Sequence, residues 1–194
     1  MQRFEQIECI GTGAYSVVYK GIDRVTNQTV AIKQISHKNI DINQILSREV
    51  RILKQLNHPN IIKLLECFGD VNHTYLIFEY IPYDLITYYK KINMEQKRNL
   101  NDTEITFIFY QLCQALAYMH SKNLIHRDIK PENILIDPKN LHVKIIDFGF
   151  ATENKLYSPN TNYMVTRWYR PLEIVLNLQY DFKADIFSLG AMML

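Results

Sequence analysis

The chain has 194 residues, 47% of them hydrophobic and 22% charged, with a formal net charge of +2. These are ordinary globular values, suited to one domain or one domain of two lobes. A balance this close to neutral gives no ground for nucleic acid or an anionic membrane as partner, and no apolar run reaches the roughly 18 residues of a membrane span. Cys9, Cys67 and Cys113 are scattered, without CxxC or Cys/His spacing for zinc or a disulfide framework. Reduced thiols are expected, in a cytoplasmic or nuclear setting. The opening residues, MQRFEQIECIG, lack a basic region followed by an apolar core, so no signal peptide is expected.

The first third of the chain predicts strands. FEQIECI, SVVYKGID and TVAIKQI are short and rich in β-branched or aromatic residues. A helix is predicted next, from Ile42, Ile45, Leu46, Val50, Leu53 and Leu56 at three- and four-residue steps, and Asn57-His58-Pro59 ends it. IIKLLECFG and TYLIFEYI return to strand character, and Ile81-Pro82-Tyr83-Asp84 is expected to be a connector. The basic cluster Lys90, Lys91, Lys97 and Arg98 reads as a solvated loop. Asn101 with Glu104 marks a helix start. That helix carries Ile105, Ile108, Phe109, Leu112, Leu116 and Met119 on one face, and Cys113 is expected to pack beside them as a small hydrophobe. Strands first and helices later predict an α+β fold in two lobes.

Three stretches carry chemistry. GTGAYSVVYKG, Gly11 to Gly21, joins two strands, and its glycines permit positive φ and close backbone approach to a phosphate. It lacks the GK[ST] ending of a Walker A, and a strand rather than a helix follows it, against a dinucleotide fold. In Val30-Ala31-Ile32-Lys33 one charged residue sits among apolar ones. Either Lys33 points to solvent by alternation, or it pairs with Glu49 and aims its ammonium at phosphates as a point charge. HRDIKPEN is the most telling stretch. Its six polar side chains, His126, Arg127, Asp128, Lys130, Glu132 and Asn133, lie between the apolar runs Leu124-Ile125 and Ile134-Leu135-Ile136. Burying such groups unpaired would cost several kcal/mol, about 2–7 each. Asp147-Phe148-Gly149 follows another apolar run, VKII.

Gly11-x-Gly13, VAIK, HRDIKPEN and DFG, in that order and at these spacings, resemble a eukaryotic protein kinase along essentially the whole chain. The resemblance implies a bilobal fold, with a β-rich small lobe over 1–80 and part of a mainly helical large lobe over 81–194. It implies ATP and Mg²⁺. The Gly loop (Ile10, Gly11, Thr12, Gly13, Ala14, Tyr15, Ser16, Val17) would cover the phosphates, and Val18, Ala31 and Leu135 would enclose the adenine. Phe78 takes the gatekeeper position, and backbone from Glu79 to Ile81 would bond the base. Lys33, paired with Glu49, would hold the α- and β-phosphates. Asp128 would accept or orient the substrate hydroxyl's proton, and Asn133 and Asp147 would hold magnesium. Lys130 implies transfer to serine or threonine of a protein substrate. Arg127 is expected to meet an activation-loop phosphate, with an upstream kinase as partner.

Thr161-Asn162-Tyr163 followed by TRWYR resembles the group of MAP kinases, cyclin-dependent kinases and their relatives. There Arg170 favours proline after the phosphorylated residue, and Thr161 and Tyr163 would be the switch. No PSTAIRE-like helix is present, so a cyclin is not expected. Four departures stand out. Ser16 replaces the third glycine of the loop. RPLE, with Pro171 and Leu172, replaces RAPE or RSPE. Phe187 stands where tryptophan is usual. The sequence ends at DIFSLGAMML, so an incomplete large lobe is expected, with Asp185 capping backbone donors of the loop that holds Asp128. A truncated ATP-binding or scaffolding fragment without catalysis is the alternative reading.

Overall fold

The computed structural model describes residues 3–13, 16–37, 40–153, 168–176 and 178–193, with backbone alone for 40–47. The chain forms two compact units, Met1–Asn57 with Ile62–Ile81, and His58–Ile61 with Pro82–Leu194. The fold is α+β.

The first unit holds strands β1 (Phe4–Thr12), β2 (Ser16–Asp23) and β3 (Gln28–Ser36), helix α1 (Ile40–Gln55), and strands β4 (Leu64–Gly69) and β5 (His73–Glu79). The strands pair antiparallel in the order β1-β2-β3-β5-β4. Alternation along β3 turns Val30 and Ile32 to one face, where they pack with Phe4, Tyr75 and Ile77. Ala31 and Lys33 turn to the other.

At one end of this sheet Arg3 reaches from the start of β1 to two carboxylates. It binds Asp23 through two hydrogen bonds of 2.8 and 2.7 Å and Glu66 through one of 2.7 Å. Phe4 stacks on Phe68, ring centroids 5.7 Å apart. The paired guanidinium, acting against the effect of burial, holds the Asp23 carboxyl far below the usual carboxylate range. Gly21 in β2 is required by packing. A Cβ there would run into the Glu5 carbonyl and lie 2.6 Å from Ile32 Cδ1.

The second unit contains β6 (Tyr83–Asp84), α2 (Leu85–Gln96), α3 (Asp102–Ser121), β7 (Leu124–Ile125), β8 (Ile134–Asp137), β9 (His142–Ile145), β10 (Thr152–Glu153), α4 (Leu172–Val175) and α5 (Lys183–Ala191). The helix start at Asn101 forms as expected. Its side chain accepts from Glu104 N at 3.0 Å, and Glu104 accepts from Asn101 N at 2.9 Å. The buried stripe of α3 is Ile108, Gln111, Leu112, Ala115, Leu116 and Met119. Cys113 is exposed, contrary to expectation. It stands one residue past Leu112, about 100° around the helix from it.

The basic cluster is not a loop throughout. Lys90 and Lys91 lie in α2, which Asp84 caps by accepting from Thr87 N at 2.8 Å. Lys97 ends that helix in left-handed backbone, φ 51°. Lys91 donates to the Tyr83 hydroxyl at 2.7 Å, and Arg98 grips Glu104 at 2.7 and 2.9 Å.

Asp185, wholly buried in the first turns of α5, ties the unit together. Its Oδ2 accepts from His126 N and its Oδ1 from Arg127 N, both at 2.9 Å, and Oδ2 lies 2.9 Å from His120 Nε2. This is the capping expected of it.

Three outcomes follow from these contacts. Gly21→Ala lowers stability by about 1–3 kcal/mol, the usual range for overpacking, read as a lower urea midpoint at unchanged slope. Asp185→Ala costs about 2–6 kcal/mol, one to three for each buried donor left without an acceptor. Asp185→Asn, which keeps one acceptor oxygen, loses less in the same titration. Because the Asp23 pKa is depressed in the folded chain, its contribution is present above about pH 4 and fades as pH falls below that. Equilibrium unfolding across that range should be less acid-sensitive in Arg3→Ala than in the parent.

Candidate functional site

The first unit supplies a face and a charge. Cross-strand partners share a face of a sheet, and the pairs Gly11↔Val18, Val18↔Lys33, Ala31↔Phe78 and Lys33↔Leu76 place Gly11, Val18, Ala31, Lys33 and Phe78 on one face. Ser16, two residues from Val18, shares it. Thr12 and Val17 pair with each other on the opposite face. Lys33 Nζ donates to both oxygens of Glu49, at 2.9 and 3.2 Å, and the Glu49 side chain is almost fully buried. The paired reading of Lys33 therefore holds, and the solvent reading does not.

The glycine loop differs from expectation. Among the described residues no glycine has positive φ. Gly11 pairs with Val18 in the ladder, Gly13 lies just past β1 with its N–H donating to the Ser16 carbonyl at 2.7 Å, and what both provide is room. A Cβ at Gly11 would meet only Val18, at 3.8 Å, and one at Gly13 the Ser16 hydroxyl at 3.2 Å. Ile10 is exposed. Ala14 and Tyr15 lie outside the described residues. At the end of β5, Glu79 accepts from Lys63 N at 3.0 Å, and Ile81 closes this unit half-buried.

The second unit gathers the ionisable residues of HRDIKPEN. Asp128 is 2% exposed. Its Oδ2 accepts from Lys130 Nζ at 2.8 Å and from Asn133 Nδ2 at 2.9 Å, and its Oδ1 from Arg170 Nη2 at 2.6 Å. Asn133 also donates to the Asp128 carbonyl at 2.8 Å. Burial pushes the Asp128 carboxyl up. The hydrogen bonds and charges of Lys130 and Arg170 outweigh it, and the net direction is downward. Asp128 is thus an ion at neutral pH, held by two cations and an amide.

His126 serves as a strut. Its Nε2 faces the Ile146 carbonyl at 3.0 Å and its Nδ1 accepts from Asp128 N at 3.3 Å, which puts the ring proton on Nε2. The ring packs edge-on against Phe148, which is fully buried. Ile146 N in turn donates to the Asn133 carbonyl at 2.9 Å.

Asp147 sits in left-handed backbone, φ 63°, an unusual conformation for a residue with a Cβ. It leads into the short turn Phe148–Phe150, and its half-buried carboxylate accepts a long bond from Gly149 N, 3.4 Å. Leu135 is half-exposed between the fully buried Ile134 and Ile136 of β8.

Two arginines make contacts beyond those the resemblance implies. Arg127, in left-handed backbone at φ 69°, is already engaged. Its Nε donates to the Phe150 carbonyl at 2.6 Å and its Nη1 to the Tyr180 hydroxyl at 2.7 Å. Arg170 lies on Asp128 and over the Phe150 ring, 5.4 Å from its centroid. Neither contact could be read from spacing, since 42 residues separate Arg170 from Asp128 and 53 separate Tyr180 from Arg127. Thr161 and Tyr163 fall outside the described residues.

Among the described residues, no group of three or more His, Cys, Asp or Glu gathers as a metal cluster. Magnesium is commonly held by one or two carboxylates and by substrate phosphates. The Asp147 carboxylate and the Asn133 carboxamide oxygen, whose amide nitrogen is spent on Asp128, are hard donors that fit such an ion.

The chain matches the protein kinase domain family over residues 4–194. It is 39% identical to human cyclin-dependent kinase-like 4 over 196 residues, covering 98% of this chain and 50% of that protein. It is 37% identical to cyclin-dependent kinase 1 of Encephalitozoon cuniculi over 196 residues, 99% of this chain and 66% of that protein. Against cyclin-dependent kinase F-4 of rice the identity is 36% over 195 residues, 100% of this chain and 41% of that protein. The chain therefore spans between 41% and 66% of the length of these relatives. With the matched residues running from the first strand to the end of the chain, it belongs to the protein kinase domain family.

Proposed function

We propose that this chain is the nucleotide-binding and phosphate-transferring part of a serine/threonine protein kinase, with its small lobe over 1–80 and part of its large lobe over 81–194. The observation that carries the reading is the cluster of buried Asp128 and Asn133 with half-buried Lys130. A carboxylate this deeply buried is expensive to maintain, and here it stands in a loop beside a metal-suited pair, Asn133 and Asp147. Phosphoryl transfer asks a protein for positioning and charge neutralisation more than for covalent help.

Each group has a task in this reading. Lys33, oriented by Glu49, holds the α- and β-phosphates of ATP. Gly11, Val18, Ala31 and Phe78 present a shared face to the nucleotide, and Leu135 adds an apolar contact. The substrate's serine or threonine oxygen forms the new bond to the γ-phosphorus as the bond to ADP breaks. Asp128 orients that hydroxyl and draws on its proton, and Lys130 neutralises charge on the moving phosphate. Bound magnesium would neutralise phosphate charge, held by Asn133 and Asp147. By analogy with the cyclin-dependent-kinase group, Arg170 favours proline after the target residue, and Thr161 and Tyr163 are the sites an upstream kinase would modify. A cyclin is not expected. Among the described residues no helix is long and apolar enough to cross a membrane.

A second reading, an ATP-binding or scaffolding fragment without transfer activity, has one observation in its favour: the Asp128 oxygen left over by Lys130 and Asn133 is taken by Arg170.

Radiolabelled ATP with a Ser-Pro peptide separates the two readings. Transfer that falls by about 10²–10⁴ in Asp128→Asn, the usual contribution of an acid–base group, is the expected result. A magnesium-ATP shift of the melting temperature without any phosphate incorporation would favour the second reading.

A further inference from the structure

A substrate hydroxyl needs an acceptor within about 2.6–3.2 Å in a productive pose. Asp128 is the only group in its loop that the proposed function offers for this. Its carboxylate is heavily committed. Oδ2 carries two bonds, from Lys130 at 2.8 Å and Asn133 at 2.9 Å. Both donors belong to the same short loop and move with it. Oδ1 carries one bond, from Arg170 at 2.6 Å, and Arg170 belongs to a distant part of the sequence.

The Arg170 contact also has the marks of a resting arrangement. The guanidinium is deeply placed, its side chain 13% exposed against 2% for Asp128. Yet its Nε is buried with no hydrogen-bond partner, the sole such side-chain nitrogen or oxygen among the described residues. An arginine settled in a final structural role normally has its donors satisfied. Here one donor is sacrificed to bring Nη2 onto the carboxylate, while the guanidinium rests over the Phe150 ring. Arg170 immediately precedes Pro171, whose ring fixes the chain direction into α4. The reach back to Asp128 is therefore made by the side chain.

We propose that Arg170 is an autoinhibitory latch: in the resting chain its guanidinium occupies the Asp128 oxygen on which a substrate hydroxyl has to land, and it must leave before phosphate is transferred. The latch rests on the phosphotransfer reading above. It also divides the two cations on Asp128 by role. Lys130 stays through the reaction, whereas Arg170 departs.

The test uses the whole chain and two charge-removing substitutions, Arg170→Ala and Arg170→Gln, so that a folding defect in one leaves the other. Transfer from saturating magnesium-ATP is measured to a Ser-Pro and a Ser-Ala peptide. A minor open state of the order of 0.1–10% predicts that freeing Asp128 raises transfer at least about tenfold, and with both peptides. Transfer by the parent chain that stays level or falls in both variants overturns the latch and leaves the kinase reading standing. No transfer from the parent or from either variant overturns the kinase reading, and the latch with it.

Discussion

Asp185 is a buried carboxylate that, among the described residues, no lysine or arginine side chain pairs with. Such a group is tolerable only if its oxygens are fully used, and here two backbone N–H groups and the edge of His120 use them. The bargain constrains everything above it. Arg127 can hold its left-handed backbone because its N–H is anchored, and Asp128 follows directly from that turn. The carboxylate of α5 therefore sets where the carboxylate of the loop points. From Asp128 the constraint passes through His126 to Ile146 and so to Asp147, each step a single hydrogen bond or chain neighbour. Asp128 and Asp147, the acids proposed above for substrate and metal, are thus registered by a third that touches neither.

Charge is handled differently at three of the four buried acids among the described residues, Asp185, Glu49 and Asp128. Asp185 is satisfied by two backbone N–H groups and the ring of His120. Glu49 is satisfied by one lysine, in a pair whose cation keeps about a fifth of its surface open. Asp128 takes two cations and an amide, more than its burial demands. An exposed pair could absorb such excess in solvent at little energetic consequence. Within a buried cluster it sets the basicity of the carboxylate and decides which of its oxygens is open to a newcomer.

Much of this was legible in the sequence, for identifiable reasons. β1 to β5 declare themselves by β-branched residues between turn signals, and α1 and α3 by three- and four-residue apolar steps, with the Asn101/Glu104 box fixing where α3 begins. The Lys33–Glu49 pair and the cap by Asp185 were expected and formed. α2 was missed because its buried residues, Leu85, Tyr88 and Ile92, are few and sit among lysines. The signal available was Asp84 ahead of Leu85, a cap before an apolar residue. Cys113 was misplaced by one step around a helix, an error that a stripe containing Gln111 and Ala115 invites. The contacts of Arg170 and Tyr180 had no local signature at all. Long polar side chains join across dozens of residues according to tertiary placement, and spacing carries no record of that.

The Arg3 end of the sheet has a consequence for how the chain behaves among its own copies. In the order β1-β2-β3-β5-β4, the first and last strands are the two edges. Yet Phe4 of β1 stacks on Phe68 of β4, and Arg3 spans to Glu66. The sheet has curled until its margins meet at that end, as in a barrel not fully shut. A flat sheet would offer two rows of unpaired amides to any neighbouring strand, and closure withdraws them. The same aromatic pair that fills the small core therefore also guards the sheet against growing by addition of a foreign strand at that end.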